Sequence, residues 1–297
     1  MIEIHVCPIC NGKNLVPFLS CEDHSVSHET FSLIKCPTCE LLITTPRPLT
    51  NELNKYYASP AYTSHISQAK TIIDKLYLTA RTHTLKWKSK LVQKNTASAE
   101  HQIFDFGCGT GEFLKSMKLM GWQTVGMEPS PFARQQSDDA ISANIKASMD
   151  EVINLNRTFD AITLWHVLEH VEHLNETIQK LKNLLAQNGT IFIAVPNHIS
   201  KDAKHYREHW AGYDVPRHLW HFGITSMKLL ASRHDLTIAK ILPMRLDAYY
   251  ISLLSEKYKS NSFSVTGITN AIFTALRSNY AARKNMEYSS LIYVLKK

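Results

Sequence analysis

A chain of 297 residues, 44% apolar and 20% charged, can bury a full core, which excludes a disordered chain and suits one large domain with an appendage or two modest domains. No apolar run approaches the ~20 residues that span a bilayer, and the opening MIEIHVCPIC lacks the basic and apolar segments of a secretory signal. The sequence therefore reads as cytoplasmic, with no membrane partner and no disulfides expected, and its net charge of +7 is uneven: −2 over 1–48, +6 over 49–98, −3 over 99–239 and +6 over 240–297.

Residues 1–48 carry two CxxC pairs, Cys7/Cys10 and Cys36/Cys39, separated by 25 residues. Four thiolates in a reducing compartment suit tetrahedral zinc, and a site whose ligands all come from protein has no open position, so the ion is expected to be structural. A redox pair or buried unpaired cysteines are the competing reading. Cys21, His24 and His28 lie between the knuckles. The predicted module is a small zinc ribbon of under 50 residues that needs the metal for want of a core.

Residues 49–98 follow as a linker and a basic helical cap. The stretch LNKYYASPAYTSH is aromatic and rich in turn residues, with Tyr56 to Tyr62 as its centre. The apolar spacing of Ile72, Ile73, Leu76, Tyr77 and Ala80 predicts a helix over 69–94, and Lys70, Lys75, Arg81, Lys86, Lys88, Lys90 and Lys94 read as its solvated face.

From residue 102 the pattern alternates. Strands are predicted at 102–106, 123–127, 159–165 and 190–195, with a weaker one near 141–146; helices are predicted at 111–121, 131–139, 173–187 and 225–234. Such alternation builds a parallel sheet with helices on both faces. Two more strands, 236–242 and 290–296, bracket a helical insertion at 243–289.

The turn IFDFGCGTGEFL joins the first strand of this series to its helix. A dinucleotide fingerprint, G-x-G-x-x-G, fails here because the third glycine comes one place early. The series Asp105, Gly107, Gly109 and Gly111, with Glu128 in VGMEPS 17 residues after Gly111, resembles the S-adenosylmethionine (AdoMet) site of class I methyltransferases. That resemblance covers about residues 100–242 and the closing strand near 290–296, within a methyltransferase domain placed at 99–297, and implies a Rossmann-like α/β fold whose mostly parallel sheet has seven strands. The glycines let the backbone approach the ligand, and amides opening the next helix favour its carboxylate. Asp105 can accept from the ligand ammonium and Glu128 from both ribose hydroxyls. Cys108 sits within the turn as a small packed residue. The resemblance further implies that Met149 and Asp150 in ASMDEV face adenine, that Trp165 or His166 borders the cofactor, and that Pro196 and Asn197 reach its edge.

His166, Glu169 and His170 also fit the H-x-x-E-H of a zinc peptidase, but that motif should open inside a helix, and here it opens where a buried strand ends. The acceptor is expected near the carboxyl ends of the strands, against the 56–62 stretch, a lid at 198–222 or the insertion. If the acceptor must lose a proton, histidine suits the base: His218 or His221 in VPRHLWHF, or His166, with Arg217 as a partner for an acidic substrate group. Trp220, His221 and Phe222 have packing as their alternative role, and Tyr249 and Tyr250 are open to both roles.

The zinc module with YYASPAYTSH resembles deoxysugar C-methyltransferases, whose additional C-terminal domain is missing here, while the turn with HVLEHV resembles quinone-biosynthesis methyltransferases, which lack the module. Together they imply a small metabolite or sugar-like acceptor. Some ribosomal RNA methyltransferases also carry a zinc module, so RNA is the alternative acceptor, although a module at −2 is poorly suited to phosphates. A non-catalytic AdoMet-binding protein is the third reading. The sequence leaves the oligomeric state open.

Overall fold

The structure, a computed structural model, describes residues 1–49, 52–57, 72–97, 100–262 and 264–297. The aromatic residues beyond Tyr57, the start of the basic helix and the side chains of its first turns lie outside the described residues.

The central sheet has seven strands: β4 (Gln102–Phe106), β5 (Gln123–Met127), β6 (Ile145–Lys146), β7 (Phe159–Trp165), β8 (Leu185–Pro196), β10 (Thr237–Pro243) and β11 (Ser290–Lys296), in the order β10-β11-β8-β7-β4-β5-β6. β4 pairs in parallel with both β5 and β7, and β5 with β6. Phe104, Ile162, Ile191 and Leu291 are buried, as expected of strands covered on both faces. The chain leaves β4 towards one neighbour, β5, and comes back to the other, β7. That reversal opens a crevice at the carboxyl end of β4.

Capping sets the helix starts. Ser130 accepts from the Ala133 amide and Pro131 opens α3 (Pro131–Gln135), while Asp138 accepts from the Ala140 amide at the start of α4 (Asp139–Ser142). The helix expected over 131–139 is therefore two short ones, and the strand expected near 141–146 contracts to the two residues of β6. The basic helix, α1 (Ile72–Asn95), is a single run, and α2 (Glu112–Leu119) follows the glycine turn.

The chain clusters into two compact units, one containing Leu168–Asn175 and Ala194–Tyr293 with the N-terminal residues, the other containing the segment that ends at Val167 with Glu176–Ile193 and Val294–Lys297. In the first unit, β1 (Val16–Glu22), β2 (Thr30–Lys35), β3 (Leu42–Thr44) and β9 (Trp220–His221) form one four-stranded sheet, with Leu42 opposite His221 and Ile43 opposite Trp220. The strands of the N-terminal module thus have a core after all: Phe31, Leu33 and Leu42 pack with Tyr206, Trp210 and Tyr213. Arg217, 1% exposed, ties this unit together through Asp23 (2.8 Å), Asp214 (2.7 Å) and the Tyr56 carbonyl (2.8 Å). The insertion of the same unit is a pair of helices, Asp247–Ser260 and Val265–Asn285.

Among the described residues, no helix is long and apolar enough to cross a membrane.

Candidate active site and metal centre

At the end of β4 the chain must turn sharply into α2, and each turn glycine meets a different constraint. A Cβ on Gly107 would come within 2.7 Å of the Val167 side chain, and one on Gly111 would collide with Ile141. Among the described residues, nothing lies within 4 Å of where a Cβ on Gly109, at φ 56°, would be. The outer glycines admit close packing, and the central one leaves open space for a ligand. Cys108 fills the space that Gly126 vacates, since a Cβ there would meet its Sγ at 2.6 Å, and burial pushes the Cys108 thiol well above the usual range.

Glu128 closes this turn from β5. One carboxylate oxygen accepts the Gly109 amide at 2.9 Å and the other accepts Ser130 at 2.9 Å, while Arg134 donates to the Glu128 carbonyl at 2.6 Å. Asp105 is buried at the end of β4 and accepts from the Thr163 hydroxyl at 2.6 Å; burial pushes its carboxyl up to about 7. Trp165 lies edge-on to Phe113 (5.4 Å) with Lys88 Nζ 4.5 Å above its ring, so one lysine of the solvated face has an aromatic partner. His166, at φ 57°, holds a left-handed conformation that costs a non-glycine residue energy and recurs at functional sites. Met149 is half-buried and Asp150 exposed, both in the first turn of a short helix capped by Ser148. The donor and acceptor chemistry of this set fits AdoMet: open backbone at Gly109, a carboxylate aligned by two amides, and a buried carboxyl that an ammonium would complete.

In the other unit, His218 and His170 meet edge to face with centroids 4.6 Å apart. His218 Nδ1 bonds the Gly212 carbonyl (2.9 Å) and His170 Nδ1 the Arg217 carbonyl (3.0 Å), with Tyr57 OH 3.1 Å away. A carbonyl only accepts, so both Nδ1 atoms carry a proton and, in the neutral ring, the lone pair is at Nε2; that of His218 lies 3.9 Å from Asp214 Oδ2. Donor atoms of Glu169 and His218, both buried, and of half-buried His170 lie within 4.8 Å of one another, a cluster of which the sequence motif contained two members. Burial lowers His170 to about 4. His221 is buried in β9 with Nε2 3.0 Å from Thr44 Oγ1. Thr44 spends its one hydroxyl proton on the His218 carbonyl (2.7 Å), so Nε2 of His221 is the donor to it. Asn197, at the end of β8, donates to Glu287 and to the Tyr288 carbonyl.

The four cysteine sulfurs converge within 4.8 Å of one another, with Cys7 3.4 Å from Cys39 and Cys10 3.3 Å from Cys36. Zn–S bonds of about 2.3 Å in a tetrahedron put sulfurs roughly 3.8 Å apart, so the set fits zinc. The two knuckles fold alike: Asn11 donates to the Cys7 carbonyl as Glu40 does to that of Cys36, and both hold positive φ, 60° and 62°.

Comparison with known proteins agrees with this geometry. The family model of the Methyltransferase domain matches residues 79–241. A ubiquinone biosynthesis O-methyltransferase of Pelagibacter ubique is 24% identical over 185 residues, covering 58% of this chain and 74% of that one. That of Glaesserella parasuis is 30% identical over 111 residues, covering 34% of this chain and 47% of the relative, so the chain spans about half the length of that protein. A structure from Galdieria sulphuraria, named for a sarcosine dimethylglycine methyltransferase, superposes with a TM-score of 0.50 at 14% identity, over 73% of this chain and 86% of its own, and so shares the fold. With more than half of its length matched by the family model, and with the strand order and glycine turn above, the chain belongs to the Methyltransferase domain family, as an AdoMet-dependent enzyme.

Proposed function

We propose that the chain transfers the methyl group of AdoMet to a small metabolite or sugar-like acceptor in the cytoplasm, and that Cys7, Cys10, Cys36 and Cys39 hold one structural zinc ion. The observation that carries the reading is Glu128, set by the Gly109 and Ser130 amides beside the open space that the described residues leave at Gly109. Relatives named as O-methyltransferases of ubiquinone biosynthesis support a small molecule, with oxygen as the accepting atom.

AdoMet supplies an electrophilic methyl group on a positive sulfonium. What remains for the chain is alignment and, for a hydroxyl acceptor, removal of one proton. Asp105 and Glu128 are proposed to hold the cofactor's ammonium and ribose. His218 is the proposed base: its Nδ1–H rests on the Gly212 carbonyl, which keeps the basic lone pair at Nε2. His221 keeps its proton at Nε2 towards Thr44, which favours a packing role for it, and Arg217, neutralised by Asp23 and Asp214, supports the fold better than an acidic substrate group.

The test is calorimetric titration of the metal-analysed protein with AdoMet, S-adenosylhomocysteine and, as control, NAD. Binding of the first two alone, beside one zinc per chain, supports the reading and directs the acceptor screen to hydroxylated metabolites before RNA. A folded, zinc-loaded protein that ignores AdoMet would end it.

A further inference from the structure

The helix Val265–Asn285 buries one face, through Ala271, Thr274, Ala275, Ser278 and Ala282, and turns the opposite face to solvent. That outer face carries Val265, Ile272, Phe273, Leu276 and Tyr280, exposed by 79, 47, 60, 52 and 68%. At 100° per residue they fall in one stripe about 100° wide, spread along the whole helix. The helix holds no Asp or Glu; Arg277 and Lys284 flank the stripe, and Arg283 lies in line with it beyond Tyr280. Beside it runs an open groove of about 590 Å³ whose lining includes Lys201, Lys204, Lys259 and Arg277; Glu256, the acid that lines it, is buried.

We propose that this helix face is a docking surface for an anionic membrane, lying in the lipid–water interface with its apolar stripe in the acyl boundary and its cations on the headgroups. The reasoning is charge and shape. An apolar stripe with a wholly basic rim is the pattern of an interfacial helix, and it calls for a negative partner. A second copy of the chain would bring the same cations to the contact and repel. Single-stranded nucleic acid would match the cations but needs a run of stacking platforms; Val265, Ile272 and Leu276 have no π face, and the guanidinium groups of Arg277 and Arg283 already lie over the rings of Phe273 (5.5 Å) and Tyr280 (5.6 Å). Protein partners take amphipathic helices from concave grooves, whereas this stripe is the convex outer side of a helix already packed from behind. The surface contact is compatible with a chain that lacks a spanning run, because lying on a membrane and crossing it make different demands on length.

The test is co-sedimentation of the full-length protein with vesicles of phosphatidylcholine alone and of phosphatidylcholine with phosphatidylglycerol in about equal parts. The expected result is binding to the anionic vesicles only, weakened by added salt. Phe273→Asp with Leu276→Asp should abolish it, and Arg277→Glu, Arg283→Glu and Lys284→Glu together should weaken it by more than about tenfold. All five positions are exposed, so circular dichroism and AdoMet binding of the variants should match the parent and separate a lost surface from a lost fold. Equal binding to neutral vesicles, no binding to either, or binding untouched by these substitutions would overturn the proposal. So would a concentration-dependent dimer that the Asp variants dissolve, or single-stranded RNA binding that tracks the charge variants while vesicles are ignored.

Discussion

Glu128 and Gly109 are 19 residues apart in sequence and one hydrogen bond apart in space, a carboxylate oxygen accepting the Gly109 amide at 2.9 Å. This bond joins the ends of two neighbouring parallel strands, so the residue proposed to read the ribose also holds the turn under it.

Replacing Glu128 should therefore act twice. Glu128→Ala is expected to lose detectable AdoMet binding, because it removes both acceptors and frees the turn. Glu128→Gln keeps one acceptor oxygen and should bind about 10- to 100-fold more weakly, the cost of roughly 1–3 kcal/mol for a lost charged hydrogen bond. Titration calorimetry distinguishes the two; equal binding by both variants and the parent would remove Glu128 from the site.

Asp105 predicts a pH dependence with a definite sign. Its carboxyl lies near 3.9 in an unfolded chain and is pushed up to about 7 here by burial, so between those values the folded state binds more protons. The contribution of this group to stability is present at low pH and falls as pH rises towards 7. A bound ammonium favours the charged form, so the thermal shift caused by AdoMet should be larger at pH 8 than at pH 5.5. Asp105→Asn should flatten that difference; an unchanged pH profile would show that the shift has another origin.

The zinc proposal predicts that Cys10→Ser or a strong chelator removes one zinc per chain and lowers the first unfolding transition in scanning calorimetry. Metal binding is also folding free energy, so the loss should be large for the unit that holds the site. A melting curve indifferent to chelation would count against a structural ion.

Arg217→Met should destabilise the protein by about 3–5 kcal/mol in urea melts, since it leaves the buried carboxylate of Asp23 and the half-buried one of Asp214 without their cation. Asp23 adds an acid limit. Burial alone would raise its carboxyl, but Arg217 and the Ser27 amide hold it below the usual range, so its stabilisation is present near neutral pH and lost as pH falls through that lowered value. The limit should vanish in the Arg217→Met protein. Lysine is not expected to substitute, because one ammonium cannot span both acids and the Tyr56 carbonyl.

Local signals were legible and long-range ones were not. β4, β5, β7 and β11 fall on their predicted residues because each is a short segment rich in apolar residues and bounded by turn or polar residues. The split of 131–139 turns on Asp138, a capping residue inside what reads as one amphipathic stretch. The pairing of β3 with β9 joins residues almost 180 apart, and nothing in CPTCELLIT or RHLWHF announces it. Glu169 and His170 stand out in the sequence, but their third partner, His218, becomes visible only when the chain has folded. Arg217 stood out for its charge, and its two acids depend on tertiary structure in the same way.

The β3–β9 ladder also sets an order of events during synthesis. Cys7 to Cys39 leave the ribosome long before Trp220 and His221 and can close on a metal ion within a loop of about thirty residues, an inexpensive closure. The edge of β3 must then wait, unpaired, until Trp220 and His221 have been made. The ribbon can thus begin folding early within its unit but cannot finish before β9 is made, and until then β3 is an exposed strand edge of the kind that chaperones protect.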